Sequence, residues 1–317
     1  MREQQLVVVT GGAGFIGSHL VEALLKRDYQ VRVVDNLVTG RRANLEHVEG
    51  KYEWIQGDLA DFAVAKEAMR GAFAVLHQAA IPSVPRSIRE PLLSHASGPT
   101  TTLNVLEAAR LVGAKRVVFA ASSSAYGNIE ELPKHESMLP APLSPYAAGK
   151  LAGEHYIRVY AQTMGLDGVS LRYFNIFGPR QDPGSPYSGV ISLFAQALLS
   201  ERTPVIYGDG QQTRDFTYVE NAVHANMLAL EAVQPLGGQV LNVGTAQRVS
   251  LTELVTTMNE ILGTAIEPQY EPVRVGDVRD SLASLTRIQQ VLDYEPRVLF
   301  REGLKRTLEW AKTSPLS

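Results

Sequence analysis

Leu6-Val7-Val8-Val9-Thr10-Gly11-Gly12-Ala13-Gly14-Phe15-Ile16-Gly17 is an apolar, β-branched run halted by glycine, and from His19 to Arg27 apolar Leu20, Ala23 and Leu24 recur at helical spacing. The reading is strand, glycine turn, helix. In Gly11-x-x-Gly14-x-x-Gly17 the first glycine permits a tight turn, the second lets backbone approach a pyrophosphate and the third allows close helix packing. The phosphates would rest on the helix N-terminus. With 26 glycines in 317 residues such a triplet arises by chance with a probability of about 0.2, so its weight comes from context. Asp35 supplies that context: it ends the next strand-like run, Val31 to Val34, where a carboxylate accepts two ribose hydroxyls and repels a 2′-phosphate. NAD is thereby favoured over NADP, although Arg41 and Arg42 follow close behind.

The same texture repeats outward from this unit. Ala74 to His77 ends at Gln78-Ala79-Ala80, Val117 to Ala120 at Ala121-Ser122, and Val169 to Tyr173 at Asn175, with helical stretches between. Such alternation predicts an α/β fold with a parallel sheet covered on both faces and ligands at the carboxyl ends of its strands. A proline- and glycine-rich stretch after Gly178 and an apolar helical run from Val190 to Leu199 open a second, smaller region, with further helices near 251–262 and 302–312. Residues 1–175 with about 210–245 are read as the dinucleotide domain, and about 176–209 with 246–317 as the smaller lobe.

Composition narrows the function classes. Lys plus Arg is 30 and Asp plus Glu 33, a net charge of −3, so there is no cationic excess for a nucleic-acid backbone or an anionic membrane. The absence of cysteine removes thiolate nucleophiles and cysteine-ligated zinc, and fits a reducing cytoplasm. The seven histidines show no paired metal spacing and there is no Gly-x-Ser-x-Gly elbow, so a metal site and a serine hydrolase are both disfavoured. The first apolar run is too short for a signal or spanning segment.

Tyr146-Ala147-Ala148-Gly149-Lys150 places a phenol and an ammonium four residues apart, on one face of a helix opened by Ser144-Pro145. Free tyrosine has a pKa of about 10, so about one in a thousand is phenolate at neutral pH. Lys150 and a nicotinamide cation would both favour the phenolate, making Tyr146 a candidate general base for a hydroxyl proton while hydride leaves to the ring. Ser122, Ser123 and Ser124 follow a strand, either to bond the reacting oxygen or to cap a following helix. No carboxylic acid stands among them for an elimination. Asp58 fits two roles equally, bonding an adenine amino group or capping the helix near Phe62.

Thr10 to Gly17, His77-Gln78-Ala79-Ala80, Ser122 to Gly127, Tyr146-x-x-x-Lys150 and Arg172-Tyr173-Phe174-Asn175, in that order, resemble the extended short-chain dehydrogenase/reductase family. Gly178-Pro179-Arg180-Gln181-Asp182-Pro183, Gly208-Asp209-Gly210 and Arg214-Asp215-Phe216 resemble its nucleotide-sugar 4-epimerases, and the likeness covers nearly the whole chain. It implies a Rossmann-type doubly wound sheet with a smaller α/β substrate lobe. It also implies a cycle in which hydride passes from C4 of a UDP-sugar to NAD, the 4-keto sugar turns, and hydride returns to its other face.

By the same resemblance Tyr146 is the base, Lys150 holds the nicotinamide ribose, and Ser122 is the catalytic hydroxyl, with Ser123 and Ser124 as rivals. Phe15, Ile16, Asn36, Thr39 and Gly40 join the glycines and Asp35 as cofactor contacts. Asp58, Leu59, Gln78, Ala79, Ala80 and Tyr173 complete that set. Asn175, Arg214 and Arg274 are implied at the sugar diphosphate, with Ser83, Val190, Tyr207 and Asp277 also on the substrate side. The position that gates sugar size falls on Ser281, whose small side chain implies room for an N-acetyl group. Where the family usually carries Asn-Val-x-Gly-Thr, this chain has Gly98-Pro99-Thr100-Thr101-Thr102. A homodimer is implied through helices near 100–112 and 146–163, with Leu103, Leu106 and Tyr160 as apolar surface. A dehydratase, decarboxylase or reductase of the same family, a UDP-glucuronate epimerase and a non-catalytic NAD sensor are the competing readings.

Overall fold

The computed structural model describes residues 5–182, 189–273 and 279–313. Six strands, β1 (Leu6–Thr10), β2 (Gln30–Asp35), β3 (Glu53–Gln56), β4 (Ala74–His77), β5 (Arg116–Ser122) and β6 (Asp167–Tyr173), run parallel in the order β3-β2-β1-β4-β5-β6. A seventh parallel strand, Gln239–Val243, closes the sheet beside β6. This is the doubly wound Rossmann order, whose switch point lies between β1 and β4.

Both faces are buried, which is why the strands read as continuous apolar runs. Val7 and Val9 point into one core and Val8 into the other. The first core is roofed by α1 (Phe15–Leu25). The opposite face is covered by α2 (Phe62–Met69) and, beyond the short helices α3 (Val84–Arg89) and α4 (Pro91–His95), by α5 (Thr101–Leu111) and α6 (Pro145–Thr163). A third core gathers Phe177, Phe194, Phe216, Tyr218, Leu254 and Phe300 around helices Val190–Leu199, Leu251–Leu262 and Phe300–Thr313. Among the described residues no helix is long and apolar enough to cross a membrane.

Two sequence expectations are corrected here. Leu106 and Tyr160 are not surface: they are 1% and 5% exposed, because α5 and α6 turn these residues into the core beneath the sheet. The large apolar residues that α5 and α6 expose are Leu103, Leu111 and Val159. The cap of α2 is Asp61, whose Oδ1 accepts from Ala63 N at 2.8 Å, while Asp58 accepts from Ala60 N one turn earlier. Of its two sequence readings, capping α2 is therefore withdrawn.

Candidate active site

The sheet register gathers the site at one edge. Thr10 pairs with His77 across β1 and β4, and Ser122 with Tyr173 across β5 and β6, so their following loops converge at the switch point. Gly11 takes φ of +65° there, and a Cβ on it would meet Ala79 N at 2.8 Å, so only glycine lets the two loops close together. A Cβ on Gly17 would collide with the carbonyl of Gly11, which fixes how tightly α1 approaches the turn. Gly14 is the extended N-cap of α1, and Phe15 and Ile16 form its first turn.

Asp35 is buried against this turn. Its Oδ2 accepts from Ala13 N at 3.0 Å and its Oδ1 from Leu37 N at 2.8 Å. Burial raises its pKa and those two N–H donors oppose the rise. Each carboxylate oxygen retains a lone-pair site, the pair that two ribose hydroxyls require. Gly40 leaves the carboxylate room, since a Cβ there would stand 2.7 Å from Oδ2. Asn36 and Thr39 are exposed on the connecting loop, where Asn36 Oδ1 accepts from Val38 N. Arg41 pairs with Asp182 at 2.7 Å, and Arg42 lies over the Trp54 ring at 4.3 Å, so both guanidinia are engaged away from Asp35. The glycine turn and carboxylate thus fit NAD and not a 2′-phosphorylated dinucleotide.

α6 brings the reactive groups together. Ser144 caps it by accepting from Ala147 N at 3.1 Å, and Pro145 sits at the first helical position. Burial raises the pKa of the half-buried Tyr146 phenol, and the Ser122 hydroxyl opposes the rise. Ser122 Oγ accepts from Ser124 Oγ at 2.8 Å and from Ser124 N at 3.2 Å. Of the two sequence readings for the serines, the structure shows the cap: Ser122 caps the short 3₁₀ turn Ser123–Tyr126. Lys150 donates from Nζ to Ala120 O at 2.6 Å, with the Tyr146 ring 5.9 Å away. Burial pushes Lys150 down to about 8, against the pull of the Glu154 carboxylate.

One supporting residue, Asn226, has no sequence signal. Asn226, buried on the helix Val219–Glu231, donates to Tyr173 OH at 2.7 Å, and Gln78 Nε2 meets the same oxygen at 3.3 Å. His77 lies between Thr10 Oγ1 at 2.7 Å and Thr102 Oγ1 at 3.1 Å; burial foremost, then the Lys150 charge, pushes it down to about 3, so it stays neutral. Ala80 ends the same half-buried Gln78-Ala79-Ala80 loop. Leu59, by contrast, turns its side chain into the core and gives its carbonyl to Asn104 at 3.0 Å.

On the substrate side, Asn175 Nδ2 is 3.3 Å from Asp215 O and 3.4 Å from Ser281 Oγ. Ser281 N in turn donates to Thr213 O, beside Arg214, whose guanidinium donates to the carbonyls of Thr213 and Arg279. Asn175, Arg214 and Ser281, which are 106 residues apart at the extremes, thus form one cluster. Buried Asp215 organises it, accepting from Thr245 N, Ala246 N and Ala283 N. Ser83 caps α3 through Arg86 N at 3.1 Å, Val190 opens the helix to Leu199, and Tyr207 ends the strand Val205–Tyr207. Arg274 and Asp277 lie outside the described residues. Among the described residues no cluster of His, Cys, Asp and Glu has the arrangement to hold a metal ion.

Residues 7–244 match the NAD-dependent epimerase/dehydratase family. The chain belongs to that family. It is 39% identical over 310 residues to the UDP-glucose 4-epimerase of Mycolicibacterium smegmatis, covering 96% of this chain and 97% of the other. In structure it resembles a UDP-N-acetylglucosamine 4-epimerase from Methanobrevibacter ruminantium in complex with UDP-N-acetylmuramic acid, with a TM-score of 0.92, 38% identity and coverage of 98% and 99%. It also resembles the Thermus thermophilus UDP-glucose 4-epimerase in complex with NAD, with a TM-score of 0.90, 38% identity and coverage of 98% and 100%. The cofactor of this family member is NAD.

Proposed function

We propose that the protein is an isomerase that inverts C4 of UDP-hexoses, acting on UDP-glucose and UDP-galactose and on their N-acetyl counterparts. The observation that carries this reading is the placement of Tyr146 and Lys150 one turn apart on α6, with the Ser122 hydroxyl at the end of β5 acting on the Tyr146 phenol. Bound NAD supplies the hydride acceptor and donor. Tyr146 removes the O4 proton and Ser122 orients that oxygen, while the Lys150 ammonium favours the phenolate. Returning proton and hydride to a turned 4-keto sugar leaves mass unchanged, which separates this reaction from a dehydration or decarboxylation.

The sugar can present either face because the grip is elsewhere: Arg214, with Arg274, suits a diphosphate, as a fixed guanidinium fork does. Small Ser281 beside Asn175 leaves room at the sugar for an N-acetyl group. The exposed apolar residues of α5 and α6, Leu103, Leu111 and Val159, support a homodimer through those helices. Tyr146→Phe tests the central role: NAD stays bound and turnover falls by about 10²–10⁴. Near-normal turnover would remove Tyr146 from it.

A further inference from the structure

Residues Ala96–Thr100 form a single π-helical turn that runs directly into α5. Pro99 lies inside it and has no N–H to give, so the ordinary helical ladder cannot close through it. Thr101 reaches back five residues instead, donating both its backbone N–H and, at 3.0 Å, its hydroxyl to Ala96 O. Turns of this kind occur frequently at functional positions.

Pro99 is buried, and its ring meets α6 at Gly149, the residue before Lys150. A Cβ on Gly149 would stand 3.2 Å from Pro99 Cδ and 3.4 Å from Cγ, tighter than normal packing. One turn further on, Gly153 is seated against Phe119 more closely still, since a Cβ there would stand 2.5 Å from the ring edge. Gly149 and Gly153 lie one turn apart on one face of α6, so the proline and a ring of β5 seat that face together, with Lys150 Nζ 5.0 Å from that same ring. The first turn of α5, which continues the π-turn, is also tied to the end of β1 before the glycine turn, through Thr102, His77 and Thr10.

We propose that Pro99 is a positioning residue for the reaction: seated on Gly149, it sets how far α6 stands from the sheet, and so where the Tyr146 hydroxyl and the Lys150 ammonium meet NAD and sugar. The consequence for turnover rests on the C4 epimerisation proposed above. A shift of a reactive group by about 1 Å lowers rates by up to about 10²-fold, so a change of ring or side chain at this contact has leverage.

The test is a size swap. Pro99→Ala removes the ring and Gly149→Ser intrudes on it; each is expected to lower kcat about tenfold and to weaken NAD binding about tenfold, while affinity for UDP, measured by calorimetry, stays within about twofold. The double variant Pro99→Ala/Gly149→Ser returns both kcat and NAD affinity to within about threefold of the starting protein. The proposal is overturned if Pro99→Ala keeps the original kcat and NAD affinity, or if the double variant is no better than the worse single one. Should Gly149→Ser not fold, Pro99→Ala and the double variant decide on the same readings. Absence of any conversion by the unaltered protein counts against the reaction, and the NAD and UDP affinities then still decide the role of Pro99.

Discussion

Glu154 and Arg172 are joined by two parallel hydrogen bonds, Nε to Oε1 at 2.8 Å and Nη2 to Oε2 at 2.7 Å, with both side chains 3% exposed. Glu154 is one helical turn beyond Lys150, and Arg172 lies on β6 with its guanidinium 4.6 Å over the Tyr126 ring. The pair pins the catalytic helix to the sheet. Removing one member of such a buried pair leaves an uncompensated charge and destabilises by about 3–5 kcal/mol, whereas apolar replacement of both is close to neutral. Urea denaturation of Glu154→Gln should show that loss, and Glu154→Leu/Arg172→Met should recover most of it. A single-variant loss below about 1 kcal/mol would contradict the assignment.

Lys150 gives the pH dependence its sign. Its ordinary value of 10.5 is pushed down to about 8 in the fold, chiefly by burial. Between these values the unfolded chain binds more protons than the folded one, so stability rises with pH from about 8 to about 10.5. Turnover has the opposite slope there, because losing the ammonium removes the charge that favours the Tyr146 phenolate. An alkaline limb in kcat centred near pH 8 is expected, and Lys150→Arg, whose charge persists, should abolish it at a lower overall rate. An unchanged limb in Lys150→Arg would assign it to another group.

The three serines separate by what they touch. The Ser122 hydroxyl acts on the Tyr146 phenol and Ser124 supports Ser122, so Ser122→Ala should lower kcat by about 10²-fold and Ser124→Ala by only a few-fold, the worth of about one hydrogen bond. Ser123→Ala should stay within about twofold. Steady-state rates on one UDP-sugar decide this, and a larger loss at Ser123 than at Ser122 would reverse the roles.

The sheet was legible because its signals are local. β-branched runs ending in glycine, asparagine or serine mark β1, β5 and β6, and the spacing of Tyr146 and Lys150 marks their shared helix face. Residues whose role depends on a distant partner were not legible. Nothing near Asn226 indicates that it will hold Tyr173, and nothing near Asp215 indicates that it will gather backbone from residues 245, 246 and 283. Leu106 and Tyr160 show the same limit from the other side: an apolar residue on a helix does not reveal whether the sheet or a second subunit covers it. For Asp58 and Asp61, both followed by helix-forming residues, only backbone geometry shows that Asp61 is the cap.

The most direct measurement follows UDP-glucose and UDP-N-acetylglucosamine in turn by proton NMR, with and without added NAD, on the unaltered protein and on Ser281→Tyr. The expected result is the C4-inverted sugar at unchanged mass from both substrates, with Ser281→Tyr losing conversion of the N-acetylated pair alone. No inversion of either sugar, or a product of altered mass, would contradict the proposed C4 epimerisation, and equal loss on both pairs would remove Ser281 from the gate.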